Sequence, residues 1–330
     1  MKFDGKSVLV TGGTGSFGRR FISHVLKAGT PRRLIVFSRD ELKQYEMAQA
    51  FDSPVMRYFL GDVRDYARLV QALRDVDFVV HAAALKQVPA AEYNPMECIK
   101  TNINGAENVI RAAIDNEVES VVALSTDKAA NPINLYGATK LASDKLFMAA
   151  NNITGGHRTR FAVVRYGNVH GSRGSVVPLF RRLAAEGAAA LPITDPRMTR
   201  FWISLDQGVE FVLRAFARMK GGELYVPKIP SMRVVDLAEA VAPGTPLRTI
   251  GIRPGEKLHE VMCPAEDALR TLDFGDHYVI LPTILEKTAD LTVNAEGQRG
   301  EPVPGEFEYR SDTNPEFLDV DALRRLLETP

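Results

Sequence analysis

The chain has 330 residues, 45% hydrophobic and 25% charged, so it can bury a large core and shows no compositional sign of disorder or of a fibrous protein. Its 41 basic and 41 acidic residues cancel, which argues against a nucleic-acid or membrane partner. Cys98 and Cys263 lack the number and spacing of a disulfide framework or metal site. No apolar run suits a signal peptide or membrane span. We therefore expect a metal-free protein of the reducing cytoplasm.

The first half of the chain alternates short β-branched runs with amphipathic stretches. The runs predict buried parallel strands at Val8–Val10, Leu34–Phe37, Phe78–Val80, Val121–Leu124 and Phe161–Val164. The stretches between them predict crossover helices at Phe17–Lys27, Asp65–Leu73, Asn104–Asn116 and Tyr136–Ala150. This order predicts an α/β fold with a doubly wound parallel sheet of the Rossmann type.

The alternation fades after about residue 170, although Val176–Glu186 and Leu205–Met219 still predict helices. We expect a Rossmann domain over residues 1–170, to which residues 200–220 return, and a smaller C-terminal substrate lobe over residues 171–330. The segment Asn294–Pro304 is polar and rich in Gly and Pro, which predicts a loop or linker.

A glycine-rich segment follows the first predicted strand and opens a helix. Its sequence is Thr11-Gly12-Gly13-Thr14-Gly15-Ser16-Phe17-Gly18. We expect Gly12 to form a tight turn, Gly15 to let backbone amides approach a pyrophosphate, and Gly18 to allow close contact between helix and strand. The context favours a dinucleotide site over a glycine turn without a ligand.

The end of the second strand bears on the choice of cofactor. Ser38, Arg39 and Lys43 suit a 2′-phosphate, so NADP is favoured. Alternatively, Ser38 and Glu41 form a capping box and the two cations are solvated, while Asp40 leaves NAD open. We expect Asp62 and Val63 to hold the adenine, and Ala82, Ala83 and Ala84 to let the cofactor lie close to the backbone. His81 is more typical of a core histidine than of a catalyst.

The stretch from Ser125 to Lys140 follows a core strand, where catalytic groups are expected. Tyr136 and Lys140 are four residues apart and share a helix face, so the ammonium can lower the pKa of the phenol. Such a tyrosine can accept a hydroxyl proton during hydride transfer. The pair is common by chance on amphipathic helices, and its position after a cofactor-binding half makes it informative.

With these two motifs the sequence resembles the extended short-chain dehydrogenase/reductases. Within them it is similar to the inverting UDP-N-acetylglucosamine 4,6-dehydratases, which make the first intermediate toward pseudaminic acid, a sugar of bacterial flagellin. The resemblance covers nearly the whole chain. It rests on Thr126-Asp127-Lys128, Arg165-Tyr166-Gly167-Asn168-Val169, Gly171-Ser172-Arg173-Gly174-Ser175-Val176, Met198-Thr199-Arg200-Phe201-Trp202 and Arg253-Pro254-Gly255-Glu256-Lys257.

The resemblance implies oxidation at carbon 4, elimination of water across carbons 5 and 6, and hydride return to carbon 6. Tyr136 and Lys140 would accept the hydroxyl proton with a hydrogen bond from Thr126, Lys128 would take the carbon 5 proton, and Asp127 would protonate the departing hydroxyl. A base at Lys128 requires a depressed pKa, which Lys140 and the nicotinamide charge could supply. The alternative is a solvent-exposed loop lysine and an aspartate that caps a turn.

The resemblance also implies contacts with a UDP-sugar. Asn168 would bind the substrate, the amides at Ser175 and Val176 and the Arg253 side chain would bind phosphate, and Glu256 would bind the ribose or base. Thr199, Arg200 and Lys86 are weaker candidates for the pocket. Without the resemblance, Arg253 and Glu256 would be expected to form a surface ion pair. The family implies a homo-oligomer, a dimer or a hexamer.

Other functions share parts of these motifs. A retaining 4,6-dehydratase or a UDP-sugar 4-epimerase would also need the cofactor, Tyr136 and Lys140. A regulatory protein that senses NADP could use the same sheet without catalytic side chains, and the intact Thr126, Tyr136 and Lys140 argue against it.

Overall fold

A computed structural model describes residues 3–170, 176–284 and 290–328. The strands are β1 (Ser7–Thr11), β2 (Arg33–Ser38), β3 (Met56–Leu60), β4 (Phe78–His81), β5 (Ser120–Leu124), β6 (Arg160–Val164), β7 (Asn168–Val169), β8 (Leu191–Ile193), β9 (Thr199–Ile203), β10 (Leu224–Pro227), β11 (Ser231–Arg233), β12 (Leu247–Thr249), β13 (Val261–Cys263), β14 (Thr271–Asp273), β15 (His277–Ile280), β16 (Glu301–Pro302) and β17 (Tyr309–Arg310).

The α-helices are α1 (Ser16–Ala28), α2 (Glu41–Ala50), α3 (Tyr66–Ala72), α4 (Val88–Tyr93), α5 (Pro95–Ile99), α6 (Gly105–Asp115), α7 (Leu135–Ala149), α8 (Val176–Ala185), α9 (Leu205–Arg218), α10 (Val234–Val241) and α11 (Val320–Glu328). A π-helix spans Lys100–Asn104, and short 3₁₀ turns span Asp127–Ala129, Ala150–Asn152 and Ala265–Arg270.

The main sheet has the strand order β16-β14-β15-β10-β6-β5-β4-β1-β2-β3. Seven neighbouring strands of this sheet are parallel, namely β3, β2, β1, β4, β5, β6 and β10. Strands β15, β14 and β16 continue the sheet in antiparallel pairs. The order 3-2-1-4-5-6 confirms the predicted Rossmann sheet. Its strand order reverses between β1 and β4, so ligands are expected at the carboxyl ends of these strands.

Helix α9 returns from the second half of the chain to the main sheet. Its Phe216 ring lies 5.7 Å from the ring of Phe78 in β4 and 5.4 Å from the ring of Phe3. Ser204 and Gln207 form a capping box at its start, which fixes where the helix begins. Strands β10 and β14–β16 also join this sheet, so more of the C-terminal half contributes to it than residues 200–220. The division at residue 170 stays a proposal.

The smaller lobe contains two further apolar clusters, formed mainly by α8, β8, α10 and α11. A three-stranded sheet of β11, β9 and β7 lies beside them, with Asn168 opposite Trp202 in its register. Part of the segment Asn294–Pro304 is not a loop, since Glu301–Pro302 pairs with Leu272 and Asp273 as strand β16. Its Gly and Pro content concealed this short edge strand.

Candidate active site

The glycine turn after β1 packs against the end of β4. Gly12 has a φ of +64°, and a Cβ atom there would lie 2.9 Å from the amide nitrogen of Ala83. A Cβ atom at Gly18 would collide with the carbonyl of Gly13, so the close contact is between α1 and the turn itself. Helix α1 begins at Ser16, which directs its positive end toward this turn. The backbone thus forms a cradle that fits a pyrophosphate.

Thr11 fixes the geometry between β1 and β4. Its Oγ1 accepts hydrogen bonds from the amides of Ala82 and Ala83, both at 3.2 Å, and lies 2.9 Å from His81 Nδ1. Because the hydroxyl has one proton, it donates that proton to Nδ1. Burial lowers the pKa of His81 to about 3, helped by the charge of Lys140. His81 is therefore a neutral core histidine, as the sequence indicated.

The residues expected at the 2′ position of the adenosine ribose lie around the start of α2. Ser38 Oγ is 3.0 Å from Thr14 Oγ1, and Arg39 Nη1 is 3.4 Å from Asp62 Oδ2. Lys43 forms an ion pair with Asp40, whose side chain also caps α2 by accepting from the amide of Lys43.

The alternative capping box of Ser38 and Glu41 is wrong, because Asp40 is the N-cap and the helix begins at Glu41, two residues later than that motif requires. Asp40, the residue that left NAD open, is instead engaged in neutralising Lys43 and in capping. The cations are about half exposed, so a ligand can reach them.

The other expected cofactor residues differ in exposure. Val63 is buried and packs against Gly105, where a Cβ atom would lie 2.7 Å from Val63 Cγ2. Asp62 binds Arg64 as well as Arg39. Phe17 stacks on Phe21 and Tyr166, so its ring belongs to the core around the turn.

Helix α7 brings Tyr136 beside the turn Thr126–Lys128. A Cβ atom at Gly137 would collide with the carbonyl oxygen of Lys128, so glycine allows the helix to lie directly on the turn. Asn134 caps the helix by accepting from the amide of Gly137 at 2.7 Å. Thr126 Oγ1 in turn donates to Asp127 Oδ1 at 2.9 Å. The structure therefore brings Tyr136 to Thr126, Asp127 and Lys128, and Lys140 lies one turn further along the same helix.

Burial dominates the electrostatics of Tyr136. Burial raises the pKa of the phenol to about 12, although the Lys128 charge and the Thr126 hydroxyl act in the lowering direction. Lys140 is 3% exposed. Burial lowers the pKa of its amine, and the negative charge of Asp144 acts in the raising direction. Burial thus outweighs the contributions that lower the pKa of the phenol, and the expected effect of Lys140 stays a prediction.

The depressed pKa that a base at Lys128 requires does not arise from the residues around it. Burial acts in that direction, but the carboxylates of Asp127 and Glu260 outweigh it and raise the pKa above its ordinary value. Lys128 Nζ lies 3.0 Å from Asp127 Oδ1 and 3.3 Å from Glu260 Oε1. The lysine thus lies between two buried carboxylates while its own side chain is 28% exposed, so it is paired rather than the free loop charge of the alternative.

Sequence reasoning missed Glu260, Lys257, Arg165 and Asp144. Arg165 Nη2 binds Asp144 Oδ2 at 3.0 Å, with both side chains 2% exposed, and Arg165 Nη1 binds the carbonyl of Met262. Lys257 donates to the carbonyl of Ala130. The motifs around Arg165 and Lys257 pointed to this region, but no spacing in the sequence placed Glu260 or Asp144 beside the catalytic turn.

The expected substrate residues fall into two groups. Arg253 and Val176 line a cavity of about 530 Å³ together with Thr194, Ile193 and other residues of the smaller lobe. Arg253 also pairs with Glu256 at 2.7 Å, as the alternative surface ion pair predicted. This volume is in the usual range for a small-molecule site.

The second group consists of expected substrate residues that, within the described ranges, do not line this cavity. The Thr199 hydroxyl contacts His259 and Ser311, and Arg200 donates to backbone carbonyls including Leu258, so both have partners within the protein and their contact with the sugar stays a prediction. Asn168 is half-buried in β7 and Lys86 is exposed beyond β4. Ser175 lies outside the described residues.

The described residues offer neither a membrane-spanning helix nor a cluster of metal ligands. None of their helices is long and apolar enough to cross a membrane. Within the same ranges, no cluster of three or more His, Cys, Asp or Glu side chains could hold a metal ion. Cys98 and Cys263 are both free and buried.

Comparison with known proteins agrees with this architecture. Residues 8–282 match the family model described as polysaccharide biosynthesis protein. The chain is 61% identical to the UDP-N-acetylglucosamine 4,6-dehydratase (inverting) of Campylobacter jejuni subsp. jejuni serotype O:2, over 98% of both chains. It is 41% identical to a UDP-glucose 4-epimerase of Rickettsia akari, over 99% of this chain and 96% of the relative.

Among solved structures, that of Pen from Bacillus thuringiensis superimposes with a TM-score of 0.89. It is 36% identical to this chain and covers 99% of it, with 98% of its own length matched. The sheet order and the glycine turn are therefore parts of a shared fold, and this chain belongs to the polysaccharide biosynthesis protein family.

Proposed function

We propose that this protein is a UDP-N-acetylglucosamine 4,6-dehydratase that inverts carbon 5, which makes it a lyase. The observation that carries the proposal is the ion pair of the buried Asp127 with the partly exposed Lys128, whose Oδ1 and Nζ atoms are 3.0 Å apart beside Tyr136. An elimination needs an acid and a base on adjacent carbons, and this pair offers both. The name of the 61% identical relative supports the same reaction.

The residues around the glycine turn fit a nicotinamide dinucleotide. Gly12 leaves room for a ligand against Ala83, and the start of α1 suits the pyrophosphate. We propose NADP rather than NAD, because Arg39 and Lys43 offer exposed cations next to Ser38, and Asp40 is already engaged. A dinucleotide held there would supply the reversible hydride transfer that oxidation at carbon 4 and reduction at carbon 6 require.

In the first stage, Tyr136 would accept the proton of the carbon 4 hydroxyl. The phenol holds its proton tightly in the protein alone, with a pKa of about 12. Positive charge brought close to the ring lowers that pKa, and the neighbouring Lys128 and Thr126 already act in this direction. Lys140, buried on the same helix face, would stabilise the phenolate as the hydroxyl proton moves.

In the second stage, Lys128 would remove the carbon 5 proton while Asp127 protonates the departing carbon 6 hydroxyl. The structure presents the pair as an ammonium and a carboxylate. Transfer of one proton across their 3.0 Å contact gives an amine base and a carboxylic acid together. The pair therefore needs no external proton to become active, and water leaves as the double bond forms.

The cavity lined by Arg253 and Val176 is the proposed site for the UDP group. The loop that carries Arg253 contacts the catalytic region, because Asn134 at the start of α7 donates to the carbonyl of Gly255 at 2.7 Å and Lys257 donates to Ala130. Arg253 would neutralise phosphate charge and Glu256 would contact the ribose or base. Asn168 and Lys86 remain proposed contacts at the edge of the pocket.

A UDP-sugar 4-epimerase is the second candidate, because the 41% identical relative has that activity in its name. An epimerase would leave the carbon 6 hydroxyl in place and would need no acid–base pair for it. Incubation of the purified protein with NADP and UDP-N-acetylglucosamine, followed by mass spectrometry, distinguishes the two. We expect a product that has lost one water, and a product of unchanged mass would contradict dehydration.

We also propose a homo-oligomer, either a dimer or a hexamer, located in the cytoplasm. Support comes from two large apolar side chains exposed on the cofactor half, Tyr93 at 87% and Met96 at 57%, since such side chains often lie in interfaces. The product would be the first intermediate toward pseudaminic acid, as the resemblance implies.

A further inference from the structure

Glu260 forms the side of the catalytic cluster opposite Asp127. It immediately precedes β13, its side chain is 2% exposed, and its Oε1 atom lies 3.3 Å from Lys128 Nζ. Oε1 is also 3.7 Å from Arg200 Nε. No hydrogen-bond partner of the buried Oε2 atom occurs in the part of the chain that the structure describes. Burying a carboxylate oxygen without a hydrogen-bond partner costs free energy, so the Oε2 atom calls for a functional explanation.

The C-terminal segment holds Glu260 in place. Ser311 donates its amide to the carbonyl of Glu260 and accepts from the amide of Glu260 with its hydroxyl, both at 2.9 Å. The same hydroxyl lies 2.7 Å from Thr199 Oγ1, and Tyr309–Arg310 pairs with β13. The glutamate therefore has a fixed backbone, which limits where its carboxylate can lie.

We infer that Glu260 is the positioning residue of the elimination step, which orients the Lys128 amine toward carbon 5 and stabilises the ammonium that forms there. The inference rests on the proposed function. Two carboxylates on one amine have separate tasks in this account. Asp127 takes a proton from Lys128 and passes it to the departing oxygen on carbon 6. Glu260 keeps its negative charge throughout.

The proton count supports this division. Before elimination Asp127 carries the shared proton, and the neutral Lys128 amine can donate a hydrogen bond to the Glu260 carboxylate 3.3 Å away. When the carbon 5–hydrogen bond breaks, its proton goes to Lys128, its electron pair forms the double bond, and the Asp127 proton leaves with the hydroxyl as water. Glu260 then faces a new ammonium, which its charge stabilises.

The test is Glu260→Gln in the full-length enzyme loaded with NADP, with Glu266→Gln as the matched control. Glu266 is an exposed residue of the neighbouring 3₁₀ turn. We expect Glu260→Gln to lower kcat roughly 10- to 100-fold with little change in KM. Reduced nicotinamide should accumulate, as measured by its ultraviolet absorbance, because oxidation at carbon 4 continues while elimination slows. Deuterium at carbon 5 of the substrate should then slow turnover more in the variant than in the wild type.

A merely structural role predicts something else: oxidation and elimination would fall together, no reduced cofactor would accumulate, and the isotope effect would not change. That result, or a wild-type kcat in Glu260→Gln, overturns the inference. Glu260→Asp keeps the charge and should recover part of kcat if the variant retains the wild-type Tm and cofactor affinity. If the wild type itself yields no dehydrated product, the proposed function fails instead, so the two failures are distinguishable.

Discussion

Asn134 at the start of the catalytic helix donates from Nδ2 to the carbonyl oxygen of Gly255 at 2.7 Å. The same side chain caps the helix through Oδ1. One residue thus joins the helix that carries Tyr136 to the loop that carries Arg253. Gly255 has a φ of +78°, a conformation that glycine adopts without strain, so its carbonyl can turn toward Asn134.

This contact predicts different outcomes for two substitutions. Asn134→Asp keeps the capping oxygen and loses the donor to Gly255, so the helix should stay stable while the loop loosens. We expect KM for UDP-N-acetylglucosamine to rise about fivefold, the equivalent of one hydrogen bond of about 1 kcal/mol, with Tm near the wild-type value. Asn134→Ala should in addition lose about 1 kcal/mol of stability with the cap. Equal KM values for wild type and Asn134→Asp would contradict the link.

The cofactor proposal predicts a selective effect at Arg39. Arg39→Ala removes an exposed cation near Ser38 and should weaken binding of NADP by about tenfold, or about 1.4 kcal/mol. Binding of NAD should change little, because NAD has no 2′-phosphate. Fluorescence titration with both dinucleotides checks this, and Arg324→Ala on the last helix serves as the control. An equal loss for both dinucleotides would place Arg39 elsewhere in the site.

The buried His81 predicts a pH dependence of stability. Its pKa is lowered from 6.5 to about 3, so below pH 6.5 the unfolded chain takes up a proton that the folded chain does not. The free energy of unfolding should therefore fall as the pH falls from 6.5 toward 3, by at most about 1.4 kcal/mol per pH unit.

His81→Gln can still accept the hydrogen bond from Thr11 and does not titrate. Urea unfolding of both proteins at about pH 7 and about pH 5 should show the larger loss in the wild type. Parallel losses in the two proteins would show that His81 does not contribute to this slope.

The sequence predicted the elements of the sheet well, because their signals are local. All five predicted strands and the four crossover helices between them lie within one residue of the observed bounds at each end. The glycine turn and the Tyr136–Lys140 pair are also local patterns. β16 was missed because two residues form a strand only when β14 is present to pair with them.

The charge state of the site could not be predicted in the same way. The pKa of Lys128 depends on Glu260, which approaches it only through the strand that the C-terminal segment holds in place. Asp40 was treated as the residue that leaves NAD open, and folding also makes it the cap of α2, while the choice of cofactor stays a proposal. In both cases, folding brings a charged side chain a partner that its neighbours in the chain did not reveal.

The most direct test of the account is NMR of the product formed from UDP-N-acetylglucosamine in deuterated water. Lys128 and Asp127 are proposed to eliminate water after oxidation at carbon 4, and reprotonation on the opposite face would use solvent protons. We predict a 4-keto-6-deoxy sugar with deuterium and inverted configuration at carbon 5. Retained configuration at carbon 5 would contradict the inverting assignment, and an intact hydroxyl at carbon 6 would contradict elimination by this pair.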